Sequence, residues 1–203
     1  MIAAIQAGGR STRMKTDKAW LMINDQPMIE HVLQTAQQVT EKIIIIVSKN
    51  NPRAADYQSL AAKYEATILP DAHDFRGPLG GIETALLQLQ NEKSVLILAC
   101  DLPFVRVEFL QLLISIHQAN PAFLTVPTDA SGRPQMLCAI YSQDCLTEIR
   151  GMLAADILKA RLLIDRVTTN FVHFEKYAHL PGAEQFLMNL NTPEEYQSVD
   201  SIR

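Results

Sequence analysis

The chain has 203 residues, 48% hydrophobic and 20% charged, with a formal net charge of −4, so it is long enough to bury a sizeable core. That acidic balance excludes an extended nucleic-acid surface, which needs a broad basic face to neutralise phosphates. No apolar run approaches the roughly 18 residues of a membrane span, and MIAAIQAGG at the start has no charged leader, so a cytoplasmic chain without a membrane or nucleic-acid partner is expected.

Short β-branched runs alternate with longer amphipathic segments, the pattern of an α/β fold whose mostly parallel sheet carries helices on its faces. IAAI from Ile2 is the first predicted strand, and AGGRSTRMKTDKAW over residues 7–20 follows it. PMIEHVLQTAQQV from Pro27 sets Ile29, Val32, Leu33, Ala36 and Val39 on one helical stripe, with Pro at the first helical position. KIIIIV ending at Val47, ATIL ending at Leu69 and SVLILA ending at Ala99 are the next strands, apolar enough for burial on both faces. Helices are predicted over PLGGIETALLQLQ and FVRVEFLQLLISIH. After NPAFLTVP, the stretch TDASGRPQ reads as a turn and MLCAIY as a strand, which together predict a hairpin-like excursion. Helices from 143 to about 153 and from 156 to about 166, a strand over NFVHF and a capped terminal helix over NTPEEYQSV complete the chain. No repeat or linker divides it, and one domain over 1–203 is expected.

Ligands of such sheets bind outside the carboxyl ends of the strands, which is where the basic loop falls. Gly8 and Gly9 allow close backbone approach to phosphate oxygens, and Arg13 and Lys18 add charge. The spacing fits neither a Walker A loop nor the dinucleotide fingerprint, and a Gly-Gly pair alone is equally compatible with a basic surface turn. Asp71 after the third predicted strand and Asp101 after the fourth share that sheet edge. Acids facing a triphosphate call for a divalent cation between them, and Mg²⁺ is normally held by one or two carboxylates plus phosphates. Asp101 is the better ligand candidate, and a turn residue before Leu102-Pro103 is the alternative. Gly77, Gly80 and Gly81 around Pro78 make a second glycine-rich corner, open either to a flat group or to helix packing. Cys100, Cys138 and Cys145 are odd in number and lack C-x-x-C spacing, so reduced thiols are expected. His31, His73, His117, His173 and His179 form no triad or metal motif.

QAGGRSTRMKTDKAW, DAHDFRGPLGGIETAL, ACDLPF, RPQMLCAIY and NLNTPEEY together resemble, in order and nearly end to end, the motifs of the molybdenum cofactor guanylyltransferase family. The resemblance implies a Rossmann-like three-layer α/β/α nucleotidyltransferase fold, GTP and molybdopterin as substrates, Mg²⁺ as cofactor, release of pyrophosphate, and molybdenum cofactor delivery proteins as partners. It places Gln6, Ala7, Gly8, Gly9, Ser48, Asp71 and the corner Gly77, Pro78, Leu79, Gly80 and Gly81 on the nucleotide. It places Arg13 and Lys18 on the phosphates, Asp101 on the metal, and Asn189 and Asn191 on the pterin side. Gln6 stands where the family has Leu, and Lys15 where it has Gly. Cytidylyl transfer to molybdopterin, nucleotidyl transfer to a sugar or alcohol phosphate by another enzyme of the same fold, and a non-catalytic nucleotide-binding adaptor are the alternatives; QAGG and the GPLGGI corner favour guanine.

Overall fold

A computed structural model describes residues 1–7, 17–73 and 76–190. Seven strands form one sheet in the order β5-β4-β1-β6-β8-β7-β9. They are β1 (Ile2–Gln6), β4 (Lys42–Val47), β5 (Thr67–Pro70), β6 (Ser94–Ala99), β7 (Leu124–Pro127), β8 (Cys138–Ser142) and β9 (Thr169–Val172). The pairs β1·β4, β1·β6, β4·β5 and β7·β9 are parallel, whereas β8 runs antiparallel to both β6 and β7. Two reversals restore the direction, so β7 and β9 point the same way as β6. The other two strands, β2 (Met22–Ile23) and β3 (Gln26–Pro27), make a small separate hairpin. Its turn has positive φ at both Asn24 (48°) and Asp25 (62°), as a two-residue hairpin turn whose twist matches its strands requires.

The period-2 alternation of the strands decides which residues meet which helices. Ala3, Ile5, Ile43, Ile45, Leu96 and Leu98 face α1 (Met28–Gln37), α2 (Ala54–Lys63) and α4 (Val107–Ala119) in one core. Ile2, Ala4, Ile44, Ile46, Val95 and Ile97 face α3 (Gly77–Leu86) and α5 (Cys145–Ala154) in the other. The result is the three-layer α/β/α sandwich expected. The predicted stripe of α1 is buried at Ile29, Val32, Leu33 and Ala36, although Val39 lies beyond the helix end and Pro27 belongs to β3.

Several expectations need correcting. ATIL is not buried on both faces: β5 is an edge strand paired only with β4, and its ends Thr67 and Pro70 are exposed. No helix fills 156–166. Asp156 takes a left-handed φ of 58°, which ends the right-handed path after α5, and only Ala160–Leu163 makes a single 3₁₀ turn. The apolar residues Ile157, Leu158, Ala160, Leu163 and Ile164 still reach the α3/α5 core, so their spacing reflects burial without a full helix. NFVHF remains a strand only to Val172, and a 3₁₀ turn, Phe174–Lys176, follows. The hairpin excursion is β7–β8, closed by pairing of Thr128 with Pro134. Helix α2 has no counterpart in the sequence reading. The terminal NTPEEYQSV lies outside the described residues.

Candidate functional site

Register brings the expected site residues to one edge. Gln6 is level with Ile46 and Ala99, and Val47 with Pro70. Ala7, Ser48, Asp71 and Asp101 therefore leave the sheet at its carboxyl end. Backbone bonds continue the ladder past the strands, from Ala7 N to Ile46 O (2.9 Å), Asp71 N to Val47 O (2.8 Å) and Cys100 N to Gln6 O (3.1 Å). Leu190 N donates to Asp101 O at 3.2 Å, which seats Asn189 beside the Asp101 loop. Gly8, Gly9, Arg13, Lys15 and Asn191 lie outside the described residues.

The α3 corner explains its glycines. A Cβ on Gly81 would stand 2.7 Å from Gln6 Cδ, 2.8 Å from Nε2 and 2.9 Å from Oε1. One on Gly80 would stand 2.9 Å from Asp71 Oδ1 and 3.1 Å from both the Cβ and the carbonyl oxygen of His73. The space that these glycines leave is filled by the chain's own Gln6 and Asp71 side chains, drawn from two strand ends onto the start of one helix. Gln6 Nε2 donates to Pro78 O at 3.2 Å. Gly77, with φ 67°, opens the helix in a conformation that suits glycine. Leu79 is fully buried in the α3/α5 core.

The loop carrying Asp71 is pinned to α3 from several sides. Asp71 Oδ1 accepts from His73 N (2.9 Å), and Thr84 Oγ1 accepts from Ala72 N (2.9 Å) while donating to Gly80 O (2.9 Å). Buried Glu83 meets His73 Nε2 through Oε2 (2.5 Å) and Arg150 Nε through Oε1 (2.8 Å). A carboxylate buried this deeply needs such partners, because an uncompensated buried charge is strongly destabilising.

Lys18 opens the short turn Lys18–Trp20, whose N-cap Asp17 accepts from Ala19 N through Oδ1 at 3.2 Å. The half-buried Cys100 reports how charge gathers here. Burial raises its thiol pKa well above the ordinary range, the Asp101 and Asp17 carboxylates raise it further, and Lys18 opposes them. Asp101 offers hard oxygen donors. That suits a cation such as Mg²⁺, which keeps water and phosphate oxygens as its other ligands, rather than one needing an all-protein cage. Among the described residues no group of three or more His, Cys, Asp or Glu could hold a metal ion.

Further along the same edge, beyond β8, the β7–β8 turn is organised by Asp129. Oδ1 accepts from Ser131 N (3.0 Å), Ser131 Oγ (2.6 Å) and Arg133 N (3.0 Å), and Oδ2 from Arg133 Nε (3.1 Å) and Gln135 Nε2 (2.8 Å). Burial raises its pKa, but the bonds from Ser131, Arg133 and Gln135 outweigh burial and bring the carboxyl down to about 2. An Asx-turn signal in TDASGR was available for this cluster. The Glu83 network had none, since its partners are 10 and 67 positions away.

The model of the MobA-like NTP transferase domain matches residues 3–169. A protein of Flavobacterium johnsoniae named probable molybdenum cofactor guanylyltransferase is 32% identical, covering 97% of this chain and 94% of its own. A Carboxydothermus hydrogenoformans protein of the same name is 30% identical, covering 100% and 96%. The crystal structure of molybdopterin-guanine dinucleotide biosynthesis protein A from Archaeoglobus fulgidus superimposes with a TM-score of 0.83 over 100% of this chain and 98% of its own, at 23% identity. Among the described residues, no helix is long and apolar enough to cross a membrane.

Proposed function

Because the chain belongs to the MobA-like NTP transferase family and is a nucleotidyltransferase, we propose that it acts in molybdenum cofactor biosynthesis, transferring GMP from GTP to molybdopterin. An oxygen of the terminal phosphate of molybdopterin attacks the α-phosphorus of GTP, and the bond from that phosphorus to the oxygen bridging to the β-phosphorus breaks. Molybdopterin guanine dinucleotide forms and pyrophosphate leaves. The attacking phosphate is already ionised near neutral pH, so no general base is needed. Catalysis is then alignment of two anions and stabilisation of charge on the leaving group.

The observation that carries this reading is the convergence of Gln6, Asp71 and Asp101 on the carboxyl edge of one sheet, with Lys18 opening a turn whose N-cap Asp17 lies 3.0 Å from the same Tyr57 hydroxyl that reaches the Ala7 carbonyl at 3.5 Å. Lys18, with Arg13, neutralises phosphate oxygens. Asp101 would hold Mg²⁺, which would supply Lewis-acid charge neutralisation at the phosphates. Asp71, fixed against Gly80, and Gln6, fixed against Gly81, border the nucleoside, together with Ala7, Ser48 and the start of α3. Asn189, beside the Asp101 loop, serves the pterin side with Asn191.

The test is a thermal-shift panel of GTP, CTP, ATP and UTP with Mg²⁺. A ligand that binds only the native state raises apparent stability by mass action. GTP should stabilise clearly more than CTP at equal concentration. Equal shifts, or a larger shift with CTP, would overturn the guanylyl assignment in favour of cytidylyl transfer.

A further inference from the structure

The two ends of the glycine-rich basic segment meet at one hydroxyl. Tyr57, fully buried on α2, places its Oη 3.0 Å from Asp17 Oδ2 and 3.5 Å from the carbonyl oxygen of Ala7. Ala7 is the residue before the glycine pair, and Asp17 is the residue before Lys18. The Asp17 carboxylate is divided between two tasks: Oδ1 caps the Lys18–Trp20 turn through Ala19 N, and Oδ2 takes the Tyr57 hydrogen. The contact is packed as well as bonded. The Trp20 ring meets the Tyr57 ring edge-on, with centroids 5.3 Å apart, and the Arg53 guanidinium lies 5.5 Å from the Trp20 centroid. Both Arg53 and Tyr57 come from the α2 region, so one helix holds the turn that carries Lys18.

We propose that Tyr57 is a positioning residue for triphosphate binding, its hydroxyl clasping Asp17 and thereby fixing the turn from which Lys18 reaches the phosphates. Burial, then the nearby Cys100 and Asp17, push the phenol pKa up, so the O–H remains a donor throughout the working range. A hydrogen bond to a carboxylate is stronger than one between neutral groups, and here it adds to the burial of Ala19 and the Trp20 ring contact in fixing the turn. Asp17 would otherwise keep one oxygen on Ala19 N and lose the constraint that orients it toward the sheet. The inference rests on the reading that Lys18 meets the phosphates, and it adds the residue through which that lysine is aimed.

Tyr57→Phe removes the hydroxyl and keeps the ring, and therefore keeps the contact with Trp20. The experiment is a double-mutant cycle between Tyr57→Phe and Lys18→Ala. Dissociation constants are measured by calorimetry with Mg²⁺ and whichever nucleoside triphosphate stabilises the parent best, so that an error in the base assignment leaves this test standing. Tyr57→Phe should weaken binding about tenfold in the parent, on the scale of one hydrogen bond to a charged group, and less than about twofold in the Lys18→Ala background. Equal weakening in both backgrounds would overturn the inference and assign the hydroxyl to general stability. Parental affinity in Tyr57→Phe, with affinity lost in Lys18→Ala, would also overturn it while leaving the phosphate reading intact. Parental affinity in Lys18→Ala itself would refute that reading, and the inference with it.

Discussion

Gly81→Ala tests why the α3 corner is built from glycine. The new methyl group would lie 2.7–2.9 Å from three atoms of the Gln6 carboxamide, closer than carbon and these atoms pack. The carboxamide is the free end of a flexible side chain, so it swings aside and gives up its bond to Pro78 O, at a cost of about 1 kcal/mol. Alanine recovers about 1 kcal/mol of helix propensity over glycine. The two cancel, and the melting temperature should move by less than about 3 °C for a chain of this size. In a Gln6→Ala background nothing is displaced, so the same change should stabilise by about 1 kcal/mol, or roughly 2–4 °C. Gly80→Ala should behave differently. Its methyl group meets a backbone carbonyl, that of His73, at 3.1 Å as well as Asp71 Oδ1 at 2.9 Å, and backbone cannot rotate away. Overpacking of this kind costs about 1–3 kcal/mol, exceeds the propensity gain and displaces Asp71. Thermal unfolding of the five proteins, with and without GTP and Mg²⁺, provides the comparison. A loss of about 2 kcal/mol or more for Gly81→Ala in both Gln6 backgrounds alike would refute the reasoning, because the clash would not be with Gln6.

Asp101→Asn should stay folded by circular dichroism and lose at least ~10²-fold in turnover, the scale of one preorganised electrostatic contact, with partial recovery at high Mg²⁺; near-parental rates at limiting Mg²⁺ would leave it a turn residue. Asp129, with a folded pKa of about 2 against an ordinary value of 3.8, contributes stability present above pH 3.8 and lost as pH falls toward 2, because the unfolded chain takes up the proton first. Asp129→Asn should therefore be less stable at pH 7 by about 1–2 kcal/mol after solvent screening, with the gap closing in chemical denaturation at pH 2–3; a gap that does not depend on pH would remove the charge argument.

The strands announced themselves where burial is symmetric. IAAI, KIIIIV and SVLILA have helices on both faces, and composition alone marks such runs. β5 carries the same kind of residues but sits at the edge, a matter of sheet order that no local run encodes. Helix α2 was silent because AADYQSLAAK buries only Tyr57, Leu60 and Ala61, too narrow a stripe to stand out from a polar loop. The segment 156–166 misled in the opposite sense, since its apolar spacing is helical while one left-handed residue, Asp156, breaks the path. At the sheet edge, the positions of Asp71 and Asp101 were legible because loops after parallel strands share an edge. What fills the glycine space was not: Gln6 and Gly81 are brought together only by the crossing of β1 and α3. Tyr57 and Asp17, 40 residues apart, are likewise neighbours by tertiary packing alone.

Strand β8 has a consequence for the order in which the chain can assemble. By Ala99 the growing polypeptide already contains β1, β4, β5 and β6, which run parallel and pair in the order β5-β4-β1-β6, so this half of the sheet can close on itself early. β7 emerges next and cannot pair with β6, because the place beside β6 belongs to β8, which comes later and runs the other way. Until β8 arrives, β7 presents the buried run LTVP without a partner, the kind of unpaired edge that invites association with other chains. The connection of residues 128–137 between them is internally bonded through Asp129, which favours β8 pairing with β7 and the hairpin docking onto β6 as a unit. By favouring that hairpin, Asp129 would also shorten the interval in which the half-made sheet is exposed.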